Sequence, residues 1–274
     1  MKQRTIAIAI FWAALLAILA TKAPAFFDPG NLRDIAVSNA PALIVAIGMT
    51  LVILAAEIDV SVGSQFAVGC VLAGSLAKAG LPLPLTAALT ILAGAALGAV
   101  NGLIVTTFGV PSIVATLAAM AFWRETLRWI TQGAWVQGLP ANFQWLGLTQ
   151  SQGELTILAV GASLFALFAW GMRHLHAGRT IYATGSSRES ARLAGLPVRG
   201  ISFAVFTLMG ALTAIAALLD SVRFSQVQSS AGAGLELKAI SAVVIGGAAI
   251  TGGKANTHRT GALTESLDRI IDEV

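Results

Sequence analysis

Between Ile35 and Trp123 the chain carries only three charged side chains, Glu57, Asp59 and Lys78. A soluble body of that length needs many more to wet its surface, so this stretch faces lipid or other protein. Composition agrees: of 274 residues, 56% are hydrophobic and 11% charged, whereas an ordinary soluble domain has about 25% charged. The net charge of +4 does not point to nucleic acid, because the basic residues sit at the edges of apolar blocks and form no single stripe. Cys70 is the one cysteine, which excludes an internal disulfide and supplies no metal cluster.

A membrane-crossing helix needs about 20 mostly apolar residues, and the blocks of that size predict an all-α, polytopic chain with about seven or eight crossings. Blocks at 5–20, 40–56, 155–172 and 201–219 are continuous, while 60–77, 85–107 and 110–130 are interrupted by polar or charged residues. An eighth, 239–251, is thirteen residues long, which suits a re-entrant or interfacial helix as well as a full crossing. Residues 173–199 hold Arg173, Arg179, Arg188, Arg192 and Arg199 against the single acid Glu189, whereas 131–153 hold no lysine or arginine. Positive charge stays inside, so the first loop is expected in the cytoplasm and the second outside. Lys2 and Arg4 place the N-terminus in the cytoplasm by the same rule. Trp123, Trp129, Trp135 and Trp145 flank or occupy the external loop, as rings that anchor at a headgroup boundary do. Lys2, Arg4, the first apolar run and Ala23-Pro24-Ala25 also imitate a cleavable leader; the length of the run and the spans behind it favour a retained anchor.

Gly94, Gly98 and Gly102 recur every four residues, which clears one helix face for close approach of another backbone, with Asn101 beside it to add an interhelical hydrogen bond. This face is expected to pack within the bundle, the other reading being a part in a substrate path. Glu57 and Asp59 are followed by Ser61, Val62, Gly63 and Ser64. Two readings stand: ionisable groups facing the bundle interior, which marks function, or an interfacial turn in which Asp59 and Ser61 cap the next helix. Arg124, Glu125 and Arg128 read as a snorkelling helix end, with Glu125 and Arg128 on one face.

Ser186 and Glu189 have the spacing of a capping box, and Gly195 with Pro197 supplies a stop, which predicts a helix of about two turns over 187–194 with Arg188 and Arg192 on one face. Such a helix is marginal alone, so a membrane surface or a partner must hold it. No catalytic constellation appears. His174 and His176 lack a third ligand, and Gly252-Gly253-Lys254 is followed by Ala255 where a phosphate loop needs Ser or Thr.

The segment Glu57-Ile58-Asp59-Val60-Ser61-Val62-Gly63-Ser64 resembles the Gly-Ile-Asp-Leu-Ser-Val-Gly-Ser signature of permease subunits in the ribose, rhamnose and autoinducer-2 class of binding-protein-dependent ABC importers. Asn101-Gly102, the run Val110-Pro111-Ser112-Ile113-Val114-Ala115-Thr116-Leu117, Tyr182 to Gly185, Ala191 to Gly195 and Gly234 to Ile240 leading to Gly246-Gly247 and Gly252-Gly253 resemble its further blocks in order and spacing. The resemblance covers residues 1–253, taken as the permease domain, and implies a multi-pass protein of a bacterial inner membrane that binds no cofactor and is no enzyme. Its implied partners are two ATPase subunits that use ATP, a second permease copy or sister chain, and a periplasmic sugar-binding protein. By the same likeness, Ser186, Arg188, Glu189, Arg192, Leu193 and Gly195 belong to the segment that docks on the ATPase; the polar residues Asp59, Ser61, Ser64 and Asn101 are expected to line a translocation path that such a permease opens to either side in turn. Residues 135–140 would lie near the docking face for the binding protein.

Three departures accompany the likeness. Glu57 and Glu125 stand where the family has glycine. The family also continues with apolar helices beyond its late double glycine, whereas 254–274 hold seven charged residues, a polar tail that reads as a truncated or altered end lacking the last helices. Leu263, Leu267, Ile270, Ile271 and Val274 fall on one helical face, so a surface amphipathic helix is an equal reading. Rival readings of the chain are a stand-alone channel or secondary transporter, a truncated non-functional permease, and an intramembrane enzyme acting on lipids.

Overall fold

A computed structural model of the chain describes residues 2–248 and 252–253; the tail expected over 254–274 lies outside the described residues. The helices in chain order are α1 (Lys2–Lys22), α2 (Pro29–Leu54), α3 (Val62–Lys78), α4 (Leu83–Phe108), α5 (Ser112–Thr131), α6 (Gln150–His174), α7 (His176–Ser186), α8 (Arg188–Leu193), α9 (Val198–Ser221) and α10 (Leu235–Ile245). Among the described residues there is no β-strand, and the one isolated bridge is antiparallel, between Val136 and Val227. The apolar blocks at 5–20, 40–56, 60–77, 85–107, 110–130, 155–172 and 201–219 each become largely helix, whereas the eighth is helical from Leu235 only to Ile245 and its residues 249–251 lie outside the described residues. The block at 40–56 is extended backwards to Pro29, a residue whose missing N–H suits the first helical position, while the Asp28 carboxylate accepts from the Gly30 N–H at 2.8 Å.

Among the described residues four helices, α2, α4, α6 and α9, are long and apolar enough to cross a membrane. α5 carries Arg124, Glu125 and Arg128 and is not among them. α3 has 17 residues, or about 25 Å at helical rise, short of the roughly 30 Å of a hydrocarbon core. α10 has 11 residues, a helix of about 16 Å that reaches half-way.

The chain divides into two compact units, the boundary falling between Asn39 and Ala40 inside α2. The first contains α1, a 3-10 turn over Pro24–Phe27 and the opening turns of α2, and its connection is tied by the Asn31 side-chain amide donating to the Phe26 carbonyl at 2.7 Å. In the second unit α9 is central and mostly buried, whereas α6 turns most of its surface outward. α9 lies against α3 and α4.

The α4–α9 contact is the work of glycine. A Cβ on Gly94 would strike Ala214 and the Gly210 carbonyl, one on Gly98 would strike the backbone of Phe206, and one on Gly102 would press on Phe203 at 3.2 Å. As the residue number rises on α4 it falls on α9, so the two helices run antiparallel with backbones in contact. Without side chains between them, van der Waals packing holds helices that lipid gives no hydrophobic reason to join.

Candidate functional site

α2 ends in a hydrogen-bonded cap. The Glu57 N–H donates to the Val52 carbonyl at 3.0 Å and the Ala56 N–H to Ile53 at 2.9 Å, the pattern in which the residue after the helix turns left-handed. Ala56 takes that position with φ 58°. The chain then runs without helix from Glu57 to Ser61 before α3 begins. Irregular backbone at membrane depth survives only where its polar groups are satisfied, and α5 supplies the partners: the Ile58 N–H donates to Ser112 Oγ at 3.2 Å and the Val60 N–H to Thr116 Oγ1 at 3.1 Å.

Asp59 turns inward from this loop and is fully buried. Its Oδ1 accepts from the Ser61 N–H at 2.9 Å and from Ser61 Oγ at 2.6 Å, and its Oδ2 from Gln65 Nε2 at 3.4 Å. Ser61 Oγ in turn accepts from Gln65 Nε2 and from Asn101 Nδ2 of α4, each at 2.7 Å. One donated and two accepted bonds exhaust a hydroxyl, so Ser61 is the node of the cluster. Ser64 Oγ joins it by donating to the Ser61 carbonyl at 2.7 Å. The four residues placed in the path by the sequence thus converge, together with Gln65, and all are sealed from solvent in this conformation. The side-chain cap expected of Asp59 and Ser61 does not form: Ser61 stands at the N-cap position of α3 without a side-chain cap bond, and the Asp59 carboxylate serves the cluster. The orphan acceptors Gln65 Oε1 and Asn101 Oδ1 remain there without a hydrogen-bond partner.

The arginine-rich segment holds two helices where one was expected. α7 buries Gly178, Ile181, Thr184 and Gly185. α8 is capped by Ser187, whose Oγ accepts from the Ser190 N–H at 3.2 Å; the expected box between Ser186 and Glu189 does not form, because Ser186 ends α7 and donates its hydroxyl to the Gly253 carbonyl at 3.1 Å. Gly195 follows with φ 80°, the left-handed stop expected of it. Glu189 and Arg192 pair with each other at 2.9 Å on the exposed face, and Leu193 beside them is 78% exposed. Arg188 behaves differently: its Nη2 donates to Glu57 Oε1, joining α8 to the loop after α2. On α7, burial pushes the Tyr182 phenol above its ordinary value, against the opposing pull of Arg173.

At the other end of α9, residues 222–234 run without regular helix and meet the 132–149 connection, with Val136 and Val227 exchanging bonds of 2.9 and 3.0 Å and the Trp145 N–H donating to Val222 at 2.7 Å. A cavity of about 330 Å³ opens there, lined by Cys70, Asp220, Ser221, Phe224, Gln226 and Gln228 among others. Arg124 is tied to another part of the chain: its Nη1 donates to the carbonyls of Ser230 and Ala231 at 3.4 and 3.3 Å, just ahead of α10. Glu125 and Arg128 do pair on an exposed face, at 3.4 Å. Among the described residues no group of His, Cys, Asp and Glu is placed to hold a metal.

The family model described as "Branched-chain amino acid transport system / permease component" matches residues 31–264. The chain belongs to this family of permeases. The ribose import permease protein RbsC of Escherichia coli K12 is 38% identical over 245 residues, 88% of this chain and 76% of that protein. The autoinducer 2 import system permease protein LsrC is 36% identical over 246 residues in Escherichia coli K12 / DH10B and in Shigella flexneri, 88% of this chain and 72% of those proteins. No solved structure matches significantly.

Three parts of the permease site escape sequence reasoning. Gln65 stands one helical turn after Ser61, and its only signal was that shared face. Ser112 and Thr116, likewise one turn apart, lie in a run that resembles a family block, but nothing in that run marked them as partners of the 57–61 loop. The pairing of Glu57 with Arg188, 131 residues apart, had none.

Proposed function

We propose that this permease is the membrane-spanning subunit of an ATP-driven importer and forms the passage for a small sugar or sugar-like molecule. Sugar as the class of cargo follows from relatives named for ribose and autoinducer 2 import. The observation that carries the ATP-driven part is α8: a helix too short to stand alone presents Glu189, Arg192 and exposed Leu193 outward, while its other side is tied to the loop that bears the Asp59 cluster. That is the shape of a handle for a separate motor. The ATPase is a partner chain, this chain performs no catalysis, and residues 173–199 are its coupling segment, on the cytoplasmic side together with the N-terminus. The permease domain takes in 1–253 and works with a second permease copy or sister chain. The cavity beneath residues 224–232 opens on the external side, where a solute-binding protein delivers cargo; its carboxylate, amides and aromatic ring suit a polyhydroxylated molecule. Movement of the helices around the Asp59 cluster then opens the sealed centre to either side in turn.

The test is reconstitution of the permease with its ATPase and binding protein in proteoliposomes, following uptake of radiolabelled D-ribose and of an autoinducer-2 preparation. Uptake of one of them that requires both ATP and the ATPase is expected. Uptake of either down its gradient without the ATPase would replace this reading with a stand-alone channel. Leu193→Asp is expected to weaken ATPase association about tenfold or more, as loss of an apolar anchor does, while leaving the melting temperature of the isolated permease unchanged.

A further inference from the structure

Glu57 is a carboxylate with 4% of its side chain exposed, at the start of a non-helical loop inside a membrane protein. A buried charge is tolerated only when paired, and its partner comes from α8, whose Arg188 is 48% exposed. The backbone is joined at the same place. The Gly253 N–H donates to the Leu54 carbonyl at 3.2 Å, and Ser186 Oγ donates to the Gly253 carbonyl at 3.1 Å. A Cβ on Gly185 would strike the Leu54 carbonyl, one on Gly252 would strike Ala56, and one on Gly253 would strike Ser186. The end of α2, the α7–α8 corner and residues 252–253 therefore meet backbone to backbone. From Glu57 the same loop continues within a few residues to the bonds of Ile58 and Val60 with α5 and of Ser61 with Asn101 on α4.

We propose that the Glu57–Arg188 ion pair makes α8 and the 57–61 loop a single moving part, so that displacement of the docking helix is delivered directly to the Asp59–Ser61–Asn101 cluster. Arg188 is then a positioning residue that faces into the permease, and docking falls to Arg192 and Leu193. The pair is particular to this chain to the extent that Glu57 replaces a glycine of the signature it resembles. The proposal rests on the ATP-driven reading for its mechanical meaning, but the pair itself is testable in the permease alone.

The first arm is a double-mutant cycle of Glu57→Gln and Arg188→Gln on thermal stability of the purified permease, with Arg188→Lys as the conservative control. The single variants should each lower the melting temperature and the double variant should lower it less than their sum; additive effects would overturn the pairing whatever the transporter does. The second arm uses the assembled complex with a Val60→Cys reporter in a Cys70→Ala background, its thiol-labelling rate measured with and without ATP. Arg188→Glu should retain ATPase association and lose the nucleotide-dependent change in labelling by about tenfold, within the usual range of site-to-site coupling, and Glu57→Arg combined with Arg188→Glu should recover most of it. Loss of ATPase association in Arg188→Glu, unrescued by the swap, would overturn the proposal by placing Arg188 on the docking face. Absence of ATPase association with the unaltered permease would instead sink the ATP-driven reading, while the stability cycle still decides whether the pair is coupled.

Discussion

Ser61 carries more of the central cluster than the acidic residue beside it. Its hydroxyl donates to Asp59 and accepts from Gln65 and Asn101, so Ser61→Ala strands a donor on each buried amide. The expected cost is about 1–3 kcal/mol per buried polar group left unpaired, read as a lower melting temperature in detergent; an unchanged one would mean the amides re-pair. Ala56 is the complementary case. It holds a left-handed φ of 58°, a conformation that costs a non-glycine residue roughly 1–2 kcal/mol. Ala56→Gly should therefore raise stability by about 1 kcal/mol, checked by the same melting assay. Asp59, Ser61, Ser64 and Asn101 were legible as polar residues out of place in apolar surroundings. Gln65, and the Ser112 and Thr116 hydroxyls that serve the Ile58 and Val60 N–H groups, had no site role assigned by the sequence, because a hydroxyl or amide in a membrane helix is also satisfied by its own backbone, as the bond from Thr116 Oγ1 to the Ser112 carbonyl at 2.8 Å illustrates.

At the scale of elements, the glycine repeat on α4 makes a sharp prediction. Gly98→Ala pushes a methyl group into the backbone of Phe206, which cannot rotate away as a side chain would, and overpacking of this kind costs about 1–3 kcal/mol. Gly161 on α6 has nothing within 4 Å of where a Cβ would stand, so Gly161→Ala should be neutral or stabilising by up to about 1 kcal/mol through helix propensity. Equal melting temperatures for the two variants would contradict the packing. The repeat itself was visible in the sequence; that its partner is α9, and that the contact is antiparallel, was not. Helix ends were legible to within a few residues for most spans. The exceptions have local causes: Pro29 starts α2 early, and Ser187 in place of Ser186 caps α8 because the Ser186 hydroxyl is taken by Gly253.

For the whole molecule the orientation is the proposal with the widest consequences. In a Cys70→Ala background, a cysteine at Arg192 should react with a membrane-impermeant thiol reagent only from the cytoplasmic face, and one at Trp135 only from outside. The reverse pattern would place the α8 handle beyond the reach of any cytoplasmic motor. What the sequence determined alone is the membrane as solvent, the all-helical character and the position of most helices, because these depend on how many consecutive residues are apolar and what ends each run. Which helices become neighbours was decided only in three dimensions. Backbone contact through glycine sets α4 against α9, and that arrangement, with its neighbouring contacts, brings Asn101 to Ser61, Arg124 to the carbonyls before α10 and Arg188 to Glu57. Such pairs are separated by dozens of residues, and no periodicity along a chain records a partner on another helix.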